Sequence, residues 1–268
     1  YDVSKQQVSI WRHSTDGVVL DRTVSNTMFD YLDASIGDVV LKDTCELPFE
    51  FRCGYVGYLG YECKQDLGSK TSHKSSYPDA QFIFSDRCVV VDHLEDVVYL
   101  ISLVKDSDSD DCAKAWFESV QQSLKNYGVS KDLPGEPLGS GGFEGGVLQA
   151  KERYHDDLAF CMTQLRLGES YEICLTNRLK GTTSIESYNY YLRLRQKNPA
   201  PYASFFRLNE IDIASSSPEK FLSLSSDGVL ESAPIKGTVR RGDDLGDDYE
   251  QLQSLKESQK NQAENLMI

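Results

Sequence analysis

Apolar and polar positions along this chain follow two rhythms. A helical spacing runs through Met28, Tyr31, Leu32 and Ile36, through Ala113, Trp116, Phe117, Val120 and Leu124, and through Tyr154, Leu158, Cys161, Met162 and Leu165. A shorter helix is predicted over 184–196, with Tyr188, Tyr191 and Leu192 on one face, and another through Leu252 and Leu255. Between them lie short β-rich runs: Val8 to Ile10, 81–92, 97–104, 170–179, 202–207, 211–215, 221–225 and 229–233. The density of Val and Ile in 81–104 predicts a well-buried sheet, with a hairpin break at 93–96. Acids at 106–111 read as helix caps, and the polar stretch 64–76 reads as a surface loop. Gly168 ends one helix, and Asn198-Pro199-Ala200-Pro201 blocks another, because proline lacks a donor and pushes the preceding residue out of the α region.

Hairpins grouped between helices, with no βαβ series, predict an α+β fold. Glycine and proline crowd the stretch 128–147, which reads as a linker between an N-terminal part, 1–127, and a second part, 148–268. The run Phe51-Arg52-Cys53-Gly54-Tyr55-Val56-Gly57-Tyr58-Leu59-Gly60-Tyr61 has the look of a phosphate loop. Such a loop lies between strand and helix, whereas Tyr and Val favour extended structure. Its glycines are therefore expected at close backbone approaches.

Charge narrows the partners. A net charge of -14 disfavours nucleic acid and anionic membrane, and no apolar run is long enough to span a bilayer. The seven cysteines show no metal-type spacing and are expected as free thiols, with Cys161 and Cys174 as small buried hydrophobes. The chain does not start with Met, and it stops within the apolar run Leu266-Met267-Ile268. Both features are expected of a fragment.

The stretch with most chemical promise is Pro234-Ile235-Lys236-Gly237-Thr238, followed by Arg240-Arg241-Gly242. A lysine is a nucleophile only when neutral, so burial or a neighbouring cation must depress its pKa. Arg240 and Arg241 are placed to do that, or to bind a carboxylate. Glu219 stands across a hairpin from Lys236, where it can supply a general acid. Spacing alone favours the plainer reading, an exposed turn lysine and a strand-edge carboxylate.

Four segments in this order resemble the chorismate-utilising enzyme family: Asn198-Pro199-Ala200-Pro201-Tyr202, Ser216-Ser217-Pro218-Glu219-Lys220-Phe221, the Lys236 turn with Arg241-Gly242, and Asn261 to Ile268. The tyrosine- and glycine-rich stretch 54–61 is similar to one in that family's N-terminal half. The resemblance implies antiparallel β-sandwich-like sheets flanked by helices, here incomplete. Lysine at 236 marks the branch that makes 4-amino-4-deoxychorismate; the anthranilate-forming branch carries alanine there. Lys236 would attack C2 of chorismate, Glu219 would protonate the departing C4 hydroxyl, and ammonia from a glutaminase domain or subunit would replace the lysine. Gly237 and Thr238 would contact substrate, and Glu264 would be one of two glutamate ligands of Mg²⁺. Pro201 and Tyr202 correspond to a tryptophan-binding region. A plant-type, glutaminase-fused member would be plastidial, otherwise cytoplasmic. The alternatives are anthranilate synthesis and a non-catalytic partial product. The fragment alone is expected to be inactive.

Overall fold

Each strand of the computed structural model pairs with one antiparallel neighbour, giving six two-stranded sheets among the described residues 1–14, 17–37, 39–41, 46–70, 73–127, 144–147 and 150–268. These residues divide into two units, Tyr1–Val129 with Asn198–Ile268, and Ser130–Lys197.

In the first unit, β1 (Gln7–Ser14) and β2 (Gly17–Ser25) form a hairpin. It leads into α1 (Met28–Gly37), where Thr27 Oγ1 accepts from the Asp30 N–H at 3.1 Å and donates to the Asp30 carboxylate at 2.8 Å. The predicted helix thus starts on a threonine cap. Tyr1, Val3, Val8, Met28, Cys63 and Ala80 form a buried cluster, with Tyr31, Leu32 and Phe82 packed on it.

β3 (Gly54–Leu59) pairs with β4 (Ala80–Ser85), Gly57 opposite Phe82. A methyl group at Gly57 would stand 2.0 Å from the Gln81 carbonyl oxygen. The glycine marks a close backbone approach, as expected, and no phosphate loop. A 3-10 helix over Tyr61–Leu67 takes up the start of the predicted loop at 64–76 and ends on Gly68 at φ 83°. Its Cys63 is buried in the cluster, which orders a stretch whose polarity suggests solvent.

β5 (Arg87–Asp92) and β6 (Val97–Ser102) form the expected hairpin, but the apolar run 81–92 splits at Asp86. Side chains alternate along β5, with Val89 and Val91 44% and 52% exposed. The predicted deep burial is absent because β-branched density reports strand preference, not coverage. α2 (Asp111–Asn126) appears as expected, yet the carboxylate of Asp110 caps nothing. The Asp111 N–H goes instead to Ser109 Oγ at 3.1 Å.

In the second unit, β7 (Glu144–Val147) pairs with β8 (Leu179–Thr182). α3 (Lys151–Leu167) ends on Gly168 at φ 75°, and α4 (Ser187–Lys197) stops before Asn198-Pro199. The strand expected over 170–179 begins only at Leu179, since 170–178 find no strand partner among the described residues. Cys174 is exposed and Cys161 half-buried, so neither is the buried hydrophobe expected. The six described cysteines are free thiols; Cys45 and residues 128–143 of the glycine-rich stretch lie outside the described residues.

The first unit resumes with β9 (Tyr202–Leu208) against β10 (Ile211–Ser217), then β11 (Lys220–Leu224) against β12 (Leu230–Ala233). α5 (Leu245–Glu257) and α6 (Gln259–Met267) follow. Helices alternating with antiparallel hairpins make the chain α+β, as predicted. No helix among the described residues is long and apolar enough to cross a membrane.

Candidate active site

The β11–β12 hairpin sets the geometry around Lys236. Lys220 lies opposite Ala233, and its ammonium meets the Glu231 carboxylate at 2.6 Å. Ser232 Oγ ties back to the Phe221 carbonyl at 2.7 Å. This register places the residue before β11 beside the residues after β12. The Glu219 carboxylate therefore accepts the Ile235 N–H at 2.8 Å, one residue ahead of Lys236. The expectation that a folded-back hairpin brings Glu219 to the lysine turn is met at the backbone. Lys236 is half-buried and Glu219 exposed.

Gly237 adopts φ 69°. A Cβ there would lie 2.6, 2.7 and 2.8 Å from Cγ, Oδ1 and Nδ2 of Asn261 on α6. The close approach permitted by this glycine is thus to a neighbouring helix. Sequence reading missed the contact, because no periodicity links two residues 24 positions apart. Thr238 is exposed. Glu264, one helical turn beyond Asn261, is half-buried and faces Lys260 Nζ at 3.8 Å.

Beyond the turn, the arginines have partners of their own. Arg240 Nη2 contacts Asp243 at 3.0 Å. Arg241 grips Asp248 through Nε at 2.7 Å and Nη2 at 2.6 Å, and the Gly242 N–H reaches the same carboxylate at 2.9 Å. These donors hold the Asp248 carboxyl down at about 2. Both guanidinium groups thus pair with acids of the chain itself. The carboxylate that Arg241 binds is internal. The helix that carries Asp248 starts on Asp244, whose Oδ1 accepts from the N–H groups of Gly246 and Asp247 at 2.8 and 2.9 Å. Arg240, Arg241, Asp243, Asp247 and Gln251 line an open cavity of about 160 Å³.

Pro201 and Tyr202 are exposed at the start of β9. Tyr202 lies opposite Ser217, whose Oγ accepts the Glu219 N–H at 3.3 Å, so this hairpin end adjoins the strand that delivers Glu219. Among the described residues no group of three or more His, Cys, Asp or Glu could hold a metal ion. Glu264 offers one hard carboxylate, which suits a Mg²⁺ ion that keeps several waters and takes one or two protein carboxylates.

Lys236 is thus a half-buried lysine on a glycine-bordered turn, braced by a glutamate on one side and a helix on the other. The chain belongs to the chorismate binding enzyme family, whose pattern matches residues 19–268. It is 41% identical over 236 residues to the chloroplastic aminodeoxychorismate synthase of Arabidopsis thaliana, covering 85% of this chain and 26% of that protein. It is 34% identical over 273 residues to aminodeoxychorismate synthase of Streptomyces pristinaespiralis, covering 100% of this chain and 37% of that protein. The chain thus spans between a quarter and two fifths of the length of these relatives. Its fold is that of anthranilate synthase component I from Streptococcus pneumoniae, with a TM-score of 0.75 at 19% identity over 97% of this chain and 58% of that one.

Proposed function

We propose that this chain is part of an aminodeoxychorismate synthase, which converts chorismate and ammonia to 4-amino-4-deoxychorismate, a precursor of p-aminobenzoate and folate. The observation that carries the reading is the Glu219 to Ile235 hydrogen bond beside Lys236, within a chain of the chorismate binding family. The Lys236 amine attacks C2 of chorismate as the C4 hydroxyl departs, and the proton that makes it water comes from Glu219. Ammonia then adds at C4 and expels the lysine, which returns to its free form. Glu219 Oε1 is engaged by the Ile235 N–H, which leaves Oε2 for proton transfer. Gly237 and Thr238 lie next in the turn and contact the substrate; Pro201 and Tyr202 belong to a tryptophan-binding region. Glu264 would be one of two glutamate ligands of Mg²⁺, and the ion would supply positive charge for a substrate carboxylate in an acidic protein.

Ammonia comes from a glutaminase domain or subunit, and a plant-type protein of this kind works in the plastid. The paired hairpins are read as parts of β-sandwich-like sheets flanked by helices, divided near 128–147. Lysine at 236 favours this reaction over anthranilate formation. The test is the protein that carries this chain, supplied with chorismate, ammonia and Mg²⁺. The expected product is 4-amino-4-deoxychorismate, and Lys236→Ala is expected to abolish both product and lysine adduct. Anthranilate with pyruvate, or an unchanged rate in the variant, overturns the assignment.

A further inference from the structure

The turn around Lys236 is held from both sides. On the N-terminal side, Glu219 fixes the Ile235 N–H. On the C-terminal side, the three amide atoms of Asn261 stand 2.6 to 2.8 Å from the point where a Gly237 Cβ would be. Near-equal distances to Cγ, Oδ1 and Nδ2 mean that the flat face of the amide lies on that glycine. Asn261 is half-buried in the first turn of α6, where Ser258 Oγ accepts its N–H at 3.4 Å. Glu264 lies three residues on, hence on the same helix face and about 4.5 Å further along the axis.

We propose that Asn261 is a positioning residue for the reaction at Lys236, acting through Gly237. It is a wedge that sets the distance between the lysine turn and the helix that carries Glu264. The inference rests on the reaction assigned above. Because the amide does its work by filling space, its chemistry is separable from its shape. A turn left loose displaces the nucleophile, and a displacement of about 1 Å can cost on the order of 100-fold in rate.

The experiment measures steady-state kinetics of the protein that carries this chain, with chorismate and ammonia, for wild type, Asn261→Ala, Gly237→Ala and the double variant, with thermal melts on each. Asn261→Ala is expected to lower kcat by about 10- to 100-fold with KM for chorismate nearly unchanged, the mark of an interaction used in the transition state. Gly237→Ala alone puts a methyl group where the amide lies and is expected to be the least active single variant. In the double variant the methyl occupies the vacated space while the backbone strain of alanine at φ 69° remains, so activity is expected to recover only in part, about tenfold over Gly237→Ala, a departure from additivity that contacting residues show. Three outcomes overturn the proposal: an Asn261→Ala enzyme with wild-type kcat, a loss confined to KM, or a double variant no better than Gly237→Ala. A wild-type protein that makes no 4-amino-4-deoxychorismate refutes the assigned reaction and this inference with it. An active wild type with indifferent Asn261 variants refutes the inference alone.

Discussion

Replacing Gly242 with alanine tests the idea that the segment after the lysine turn is locked onto α5. The alanine Cβ would lie 2.0 Å from the Asp248 backbone nitrogen and 2.5 Å from Asp247 C and Asp248 Cα. Ordinary contact begins near 3.4 Å, so 3.4 minus 2.0 leaves 1.4 Å to be made up. The obstructing atoms are helix backbone, which no rotamer change can move. Either the first turn of α5 shifts, or the segment lifts off and gives up the Arg241 and Gly242 bonds to Asp248. Forcing a methyl group into filled space costs about 1–3 kcal/mol, and the stiffer unfolded chain of alanine returns about 0.4–1 kcal/mol. A net loss of about 1.3 kcal/mol corresponds to a Tm lowered by about 3–5 °C for a chain of this size. Gly246→Ala is the control: it lies in the first turn of α5, and its Cβ meets only the side-chain Oδ1 of Asp244, at 3.2 Å. Thermal melts with hydrogen exchange across α5 read both variants. A Gly242→Ala protein that melts with wild type and keeps exchange protection at Asp247 and Asp248 refutes the packing argument.

Two titrations probe separate parts of the chain. Burial, with the Cys88 thiol 3.7 Å away, pushes the Cys53 thiol up to about 12, so iodoacetamide should label Cys53 far more slowly at pH 7 than the exposed Cys112, with the rate rising as pH approaches 12. Equal labelling of Cys53 and Cys112 at pH 7, read by peptide mass mapping, contradicts that environment. Asp248 is held near 2 against an ordinary 3.8, so its contribution to stability is complete above pH 3.8 and disappears as pH falls through 2. Carboxyl carbon shifts should place its midpoint near 2, and a midpoint near 3.8 means that the Arg241 clamp is not formed in solution.

What could be read from the residues alone was set by how local the physics is. The β11–β12 hairpin was legible because strand preference and the Ser226-Asp227-Gly228 turn act over a few positions. Once that hairpin exists, the meeting of Glu219 with the Lys236 turn follows from register. The Arg241 to Asp248 clamp was not legible, although the partners are only seven positions apart. Several acids between 243 and 250 could each have met either arginine, and only the start of α5 at Asp244 selects one. Residues 170–178 have an alternation that suits a strand, yet they find no strand partner among the described residues. Asn261 was the least legible of all, since its contact with Gly237 depends on how α6 returns past the turn. The site is therefore built from one local element that the pattern announces and two helices whose placement it does not. The reaction proposed at Lys236 draws on both: the hairpin brings Glu219 to the lysine turn, while α5 and α6 pack against the segments on and after it.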